Sequence, residues 1–140
     1  SLTSEEGIFA TFVLARDWPR SGKIQLTLGG HLPPLWIVES GIGNLPSLRG
    51  ISLGITPNVH YEKKEVLLSP GESILFFTDG VVEAVNEDNE LFGNDRLTNY
   101  FREAKGPPWG KGLLNKIKHW RGMANANDDL TLLEIWREQK

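Results

Sequence analysis

Cysteine is absent from the 140 residues, which removes any disulfide framework, any thiolate metal site and any thiol nucleophile, and fits a reducing compartment. There is no apolar run near the ~18 residues that a membrane helix needs. Nor is there a basic-then-apolar leader. The expectation is a soluble, cytoplasmic chain without a membrane span. An excess of basic residues is also missing: 15 Lys and Arg stand against 18 Asp and Glu, a formal net charge of −3, which argues against nucleic acid as a partner. Repeats and low-complexity tracts are lacking. The three histidines, His31, His60 and His119, show no metal-ligand spacing with one another, and His31 reads as a loop-shaping residue rather than a catalytic one.

The charge that is present is segregated. Residues 79–95 carry acidic side chains and no Lys or Arg, whereas residues 102–121 are basic apart from Glu103. An acidic cluster suits a hard cation, and a basic helix suits a phosphate or an acidic partner. Two solvated faces that balance each other explain the same pattern. The NEDNE turn at residues 86–90 lacks the ligand alternation and the glycine of a calcium loop.

Residues 8–15 are rich in β-branched and aromatic side chains and read as a strand. Residues 23–28 alternate, with Ile24, Leu26 and Leu28 on one face, the pattern of a half-buried strand. DWPRSG between them has the punctuation of a hairpin. In HLPPLWIVE the two prolines confine pairing to the second half. Gly, Pro and Ser recur over residues 41–54, predicting a long loop of the kind that is often functional.

Residues 61–68 and 72–78 flank Ser69-Pro70-Gly71 and predict a second hairpin. Leu97, Tyr100, Phe101 and Ala104 then recur at helical spacing, with Asn94 or Asp95 available as N-cap. Leu113, Leu114, Ile117 and Trp120 outline a second helix after Gly106-Pro107-Pro108. Residues 130–136 close the chain as a strand. Strands followed by two helices and a returning strand predict an α+β domain, helices packed on a mostly antiparallel sheet. The five tryptophans read as core packing rather than ligand stacking.

Carboxylates stand at two strand ends: Asp79 after SILFFT, and Asp128-Asp129 before LTLLEIW. If those strands are neighbours, the carboxylates can share one edge of the sheet and hold Mg²⁺ or Mn²⁺, which prefer oxygen ligands. Gly80 would permit a tight turn beside the ion. Asp-Gly and Asp-Asp at strand ends are also ordinary turn chemistry.

FFTDGVVEAVNEDNELFGNDRL resembles the hallmark segment of the SpoIIE-like branch of the PPM-type metal-dependent Ser/Thr protein phosphatases. Further matches, FATFVLA, GGHLPPL, ISLGI, LLSPGESILFFTDG and NDDLTLLEI, follow in the family's order. The resemblance implies part of an αββα sandwich whose intact form holds two Mg²⁺ or Mn²⁺ ions and hydrolyses phosphoprotein with a metal-activated water. It implies that Asp79 and Asp128 are metal ligands and that Asp129, like Gly80, stands just behind them. It further implies a phosphorylated protein substrate of the anti-anti-sigma (STAS) type, and an upstream sensor or regulatory domain in bacterial signalling.

The family's GD pair and its DVSGHG-like segment have no match here, and GGHLPPL is a different element. The expectation is therefore that residues 1–140, which begin at Ser1, form a single partial domain, the C-terminal portion of a SpoIIE-like phosphatase domain. Such a piece would be inactive alone and able to self-associate through an unpaired sheet edge. The alternative is a non-catalytic phosphatase-like interaction or regulatory module.

Overall fold

The structure, a computed structural model, describes residues 12–29, 32–43, 45, 61, 63–124 and 130–139. The chain divides into two units, residues 1–33 with 45–69 and residues 34–44 with 70–140. The first holds a three-stranded antiparallel sheet of β1 (Phe12–Trp18), β2 (Lys23–Gly29) and β5 (Lys63–Leu67), in the order β1-β2-β5. The predicted DWPRSG hairpin is present. Trp18 pairs with Lys23, and Gly22, at a φ of 78°, donates its N–H to the Trp18 carbonyl. That left-handed conformation favours glycine because it has no Cβ to clash.

In β2 the alternating Ile24, Leu26 and Leu28 are all buried, as their spacing predicts. Trp18 is capped by two cations: the Lys23 ammonium lies 4.4 Å and the Arg16 guanidinium 4.6 Å from its ring centre. Lys23 also pairs with Glu65 at 3.0 Å, an exposed contact that contributes about 1 kcal/mol or less. The observed β1 runs three residues further than the sequence reading placed it, and residues 8–11 lie outside the described residues.

The second unit holds a four-stranded antiparallel sheet of β3 (Leu35–Val38), β4 (Gly41–Ile42), β6 (Ser73–Phe77) and β7 (Leu132–Trp136), in the order β4-β3-β6-β7. The short β4 lies inside the segment read as loop. Two helices, α1 (Gly93–Glu103) and α2 (Gly110–Arg121), complete the unit. Leu75 and Ile37 from the sheet cluster with Val81, Ala84 and Phe92, with Leu97 and Phe101 of α1, and with Trp109, Leu113 and Ile117 around α2. Each large aliphatic side chain buried there contributes about 1.5–3 kcal/mol. β6 is central, which is why SILF is buried without alternation.

The second predicted hairpin does not form. β5 pairs with β2, and β6 pairs with β3 and β7. The backbone groups that would close a hairpin are already engaged. Leu68 donates to the Gly22 carbonyl, Gly71 donates to the Arg137 carbonyl at 2.7 Å, and Arg137 donates back to the Glu72 carbonyl at 3.0 Å. Ser69-Pro70-Gly71 is a turn, with Gly71 at a φ of 87°, but it marks the passage between units.

Asn94 and Asp95 do not cap α1 either. The N-cap is Phe92 and makes no side-chain cap bond. The donors at this helix start are met by backbone carbonyls instead, Phe92 N–H bonding Ala84 at 2.7 Å and Gly93 N–H bonding Val82 at 2.9 Å. Of the tryptophans, Trp109 is core as predicted, whereas Trp136 is 41 % exposed. An edge strand leaves the Trp136 side chain partly uncovered. No described helix is long and apolar enough to cross a membrane.

Candidate metal centre

β6 ends where its apolar run ends, and the chain turns at once. Val81 N–H bonds the Thr78 carbonyl at 3.1 Å and Glu83 N–H bonds the Asp79 carbonyl at 2.9 Å, with Gly80 buried inside the turn. The Asp79 carboxylate is exposed, and it takes no hydrogen bond or ion pair from the described residues. It is a free hard-oxygen donor, the type that Mg²⁺ and Mn²⁺ prefer. Among the described residues no group of three or more His, Asp or Glu side chains could hold a metal ion. They supply one candidate ligand rather than a complete centre.

The sequence reading required the strands carrying the two acidic sites to be neighbours, and they are. Phe77 pairs with Leu132, and the ladder continues one step further through Thr78 and Thr131. Thr131 therefore leads into β7 at the end of the sheet where β6 delivers Asp79. Asp128, Asp129, His31 and His60 lie outside the described residues, as does the distance between the Asp79 and Asp128 carboxylates.

Beyond Asp79 the chain makes a small return. Asn86 N–H bonds the Glu90 carbonyl, Val85 bridges Leu91, and the Asn86 side-chain oxygen accepts from Asp88 and Glu90. Arg96 of α1 clasps its end, one guanidinium nitrogen donating to the Leu91 and Phe92 carbonyls at 3.0 and 3.1 Å. The same guanidinium stacks 3.9 Å from the centre of the Trp120 ring, whose indole N–H donates to the Glu90 carbonyl. Glu87 accepts from the Met123 N–H just past α2. The acidic segment is thus fastened to both helices.

Sequence reasoning missed Glu134. This lone acid in the apolar run of β7 accepts the Trp109 and Gly110 N–H groups at the start of α2, the latter at 2.7 Å, and the Ser73 hydroxyl at 2.9 Å. An isolated charge at a strand position was the available signal. Tyr100 donates to the Trp109 carbonyl at 2.9 Å; its phenol is pushed above the ordinary value of 10.0 by burial and, secondarily, by the Glu134 charge.

The sequence matches the Stage II sporulation protein E (SpoIIE) family over residues 1–138. The chain belongs to the SpoIIE family. A similar curated protein is IcfG of Synechocystis sp., 29% identical over 90 residues; the alignment covers 64% of this chain and 14% of that protein. In fold the chain is similar to the phosphatase domain of SpoIIE from Bacillus subtilis, from a manganese-presoaked crystal: TM-score 0.67, 13% identity, 93% of this chain and 57% of that one. It is also similar to the RsbU and RsbW domains of Rv1364c from Mycobacterium tuberculosis, with TM-score 0.68, 24% identity, and 91% and 36% covered. The SiaA-PP2C domain of Pseudomonas aeruginosa gives TM-score 0.63, 18% identity, and 84% and 47% covered. This SpoIIE-family chain therefore has the α+β fold of a PP2C-type phosphatase domain and spans between 36% and 57% of these solved chains.

Proposed function

We propose that this chain is the C-terminal portion of a Mg²⁺- or Mn²⁺-dependent protein phosphatase domain acting on phosphoserine or phosphothreonine, with Asp79 and Asp128 as metal ligands. The observation that carries the proposal is the β6–β7 adjacency combined with the unengaged Asp79 carboxylate at its end. Membership of the SpoIIE family supports the reaction class. Bound ions of this kind lower the pKa of water and neutralise phosphoryl oxygens. The task of this chain's residues is to hold them: Asp79 from a turn anchored by its own carbonyl, Asp128 from the segment entering β7, with Gly80 and Asp129 shaping the immediate surroundings.

Coverage of 57% of the SpoIIE phosphatase chain supports the view that further ligands come from residues preceding Ser1. The substrate in this reading is a phosphorylated regulator of the STAS type, the setting is cytoplasmic signalling under an upstream regulatory domain, and the isolated chain self-associates. A second reading, a non-catalytic interaction module, draws on the absence of a three-ligand cluster among the described residues.

The deciding experiment uses the full-length natural protein with p-nitrophenyl phosphate and a phosphoprotein in Mn²⁺ buffer. Turnover that is abolished by chelator and largely lost in D79N and D128N establishes the phosphatase. A fully active D79N overturns the assignment of that residue, and an inert, correctly folded wild type establishes the interaction module.

A further inference from the structure

Between α1 and α2 lies a cavity of about 320 Å³, within the roughly 300–1,000 Å³ range of ligand sites, and it is separate from the Asp79 turn. Its floor is Phe92, 1% exposed, with Trp120 packed against it edge to face at 6.1 Å. Arg96, Lys116 and His119 line it together with Asn99. None of the three basic side chains has a carboxylate within ion-pair distance among the described residues.

Arg96 is already held in place. It spends one nitrogen on two carbonyls and stacks on Trp120, leaving the rest of its five-donor fork available at little further entropic cost. An apolar floor with unneutralised donors above it is matched to an organic anion.

The lining also limits its occupant. Glu103 lines the groove beside the basic groups, so a long acidic run would meet like charge there, an exclusion by repulsion. Residues 96–103 span about 10 Å of helix at a rise of ~1.5 Å, enough for about three extended residues at ~3.3 Å each. We propose that this groove docks a protein segment in which one acidic side chain lies between apolar neighbours.

The test needs neither metal nor turnover, so its outcome is separate from that of the phosphatase reading. The ¹⁵N-labelled chain is titrated with the capped peptide Ala-Leu-Glu-Leu-Ala, its Gln-centred analogue, a five-glutamate peptide and inorganic phosphate. The expected result is a saturable shift of the Trp120 indole N–H with the first peptide. Binding is about tenfold weaker for the Gln analogue and for K116E, and E103Q improves binding of the five-glutamate peptide. K116E, an exposed change, is checked for an unaltered thermal midpoint. The proposal is overturned by equal binding of the Gln analogue, by full affinity in a folded K116E, by shifts that map elsewhere, or by no saturation. Equal response to phosphate makes the groove a bare anion site and overturns it as well.

Discussion

Thr78 and Thr131 grip each other across the ends of β6 and β7. The Thr78 N–H donates to the Thr131 carbonyl at 3.2 Å, and the Thr131 N–H donates to Thr78 Oγ1 at 3.0 Å. A side chain thus extends the ladder one rung beyond the strands, at the place where Asp79 leaves the sheet. Thr78→Val keeps the shape and removes the acceptor. The expected loss is about 0.5–1.5 kcal/mol in urea unfolding, together with faster amide exchange at Thr131. An unchanged Thr131 exchange rate shows that the hydroxyl does not hold this end.

Glu134 replaces a local cap for α2. Glu134→Gln retains an acceptor but removes the charge that faces two helix N–H groups. A cost of about 1–3 kcal/mol is expected from a charge-assisted bond and the helix dipole. Urea midpoints at constant slope check it.

Tyr100 links stability to alkaline pH. Its folded pKa lies above 10.0 because burial, and then Glu134, disfavour the phenolate. The unfolded chain therefore releases this proton first as pH rises. The contribution is fully present below the unfolded pKa and is lost as pH climbs from there through the folded pKa. The chain has only two tyrosines, Tyr61 and Tyr100, so an absorbance titration of phenolate compared between wild type and variants isolates the Tyr100 component. Tyr100→Phe abolishes that component, and Glu134→Gln moves it downward.

Leu113 is fully buried at 0% exposure in the centre of the helix-and-sheet cluster. Leu113→Ala should cost about 2–5 kcal/mol, against less than about 0.5 kcal/mol for the exposed Lys111→Ala on the same helix. Comparable midpoints for the two variants would contradict the packing described.

Exposed apolar groups sit on edge strands: Leu14 at 63% on β1 and Leu133 at 60% on β7. Such edges recruit further strands. The 140-residue chain is expected to self-associate in light scattering at high concentration, and Leu14→Lys or Leu133→Lys to reduce it. A monodisperse wild-type monomer counts against that expectation.

Local patterning by itself determined the β2 strand, since Ile24, Leu26 and Leu28 could only share one face at a two-residue period. It determined both helices, because their apolar positions recur at helical spacing, and it marked Asp79 as the residue where a buried strand stops. The ordered motifs from FATFVLA to NDDLTLLEI carried the family. What local pattern could not carry was partner choice. Residues 61–68 and 72–78 look like a hairpin because Ser69-Pro70-Gly71 is good turn chemistry. Whether the flanking strands pair depends on which distant backbone groups reach them first, and Gly22 and Arg137 take those places. The caps followed the same rule: α1 is closed by the Val82 and Ala84 carbonyls and α2 by the Glu134 carboxylate, groups 8 to 25 residues away that only the folded chain brings to the helix ends. The Arg96–Trp120 stack likewise required two helices to meet, since nothing in either stretch of sequence names the other.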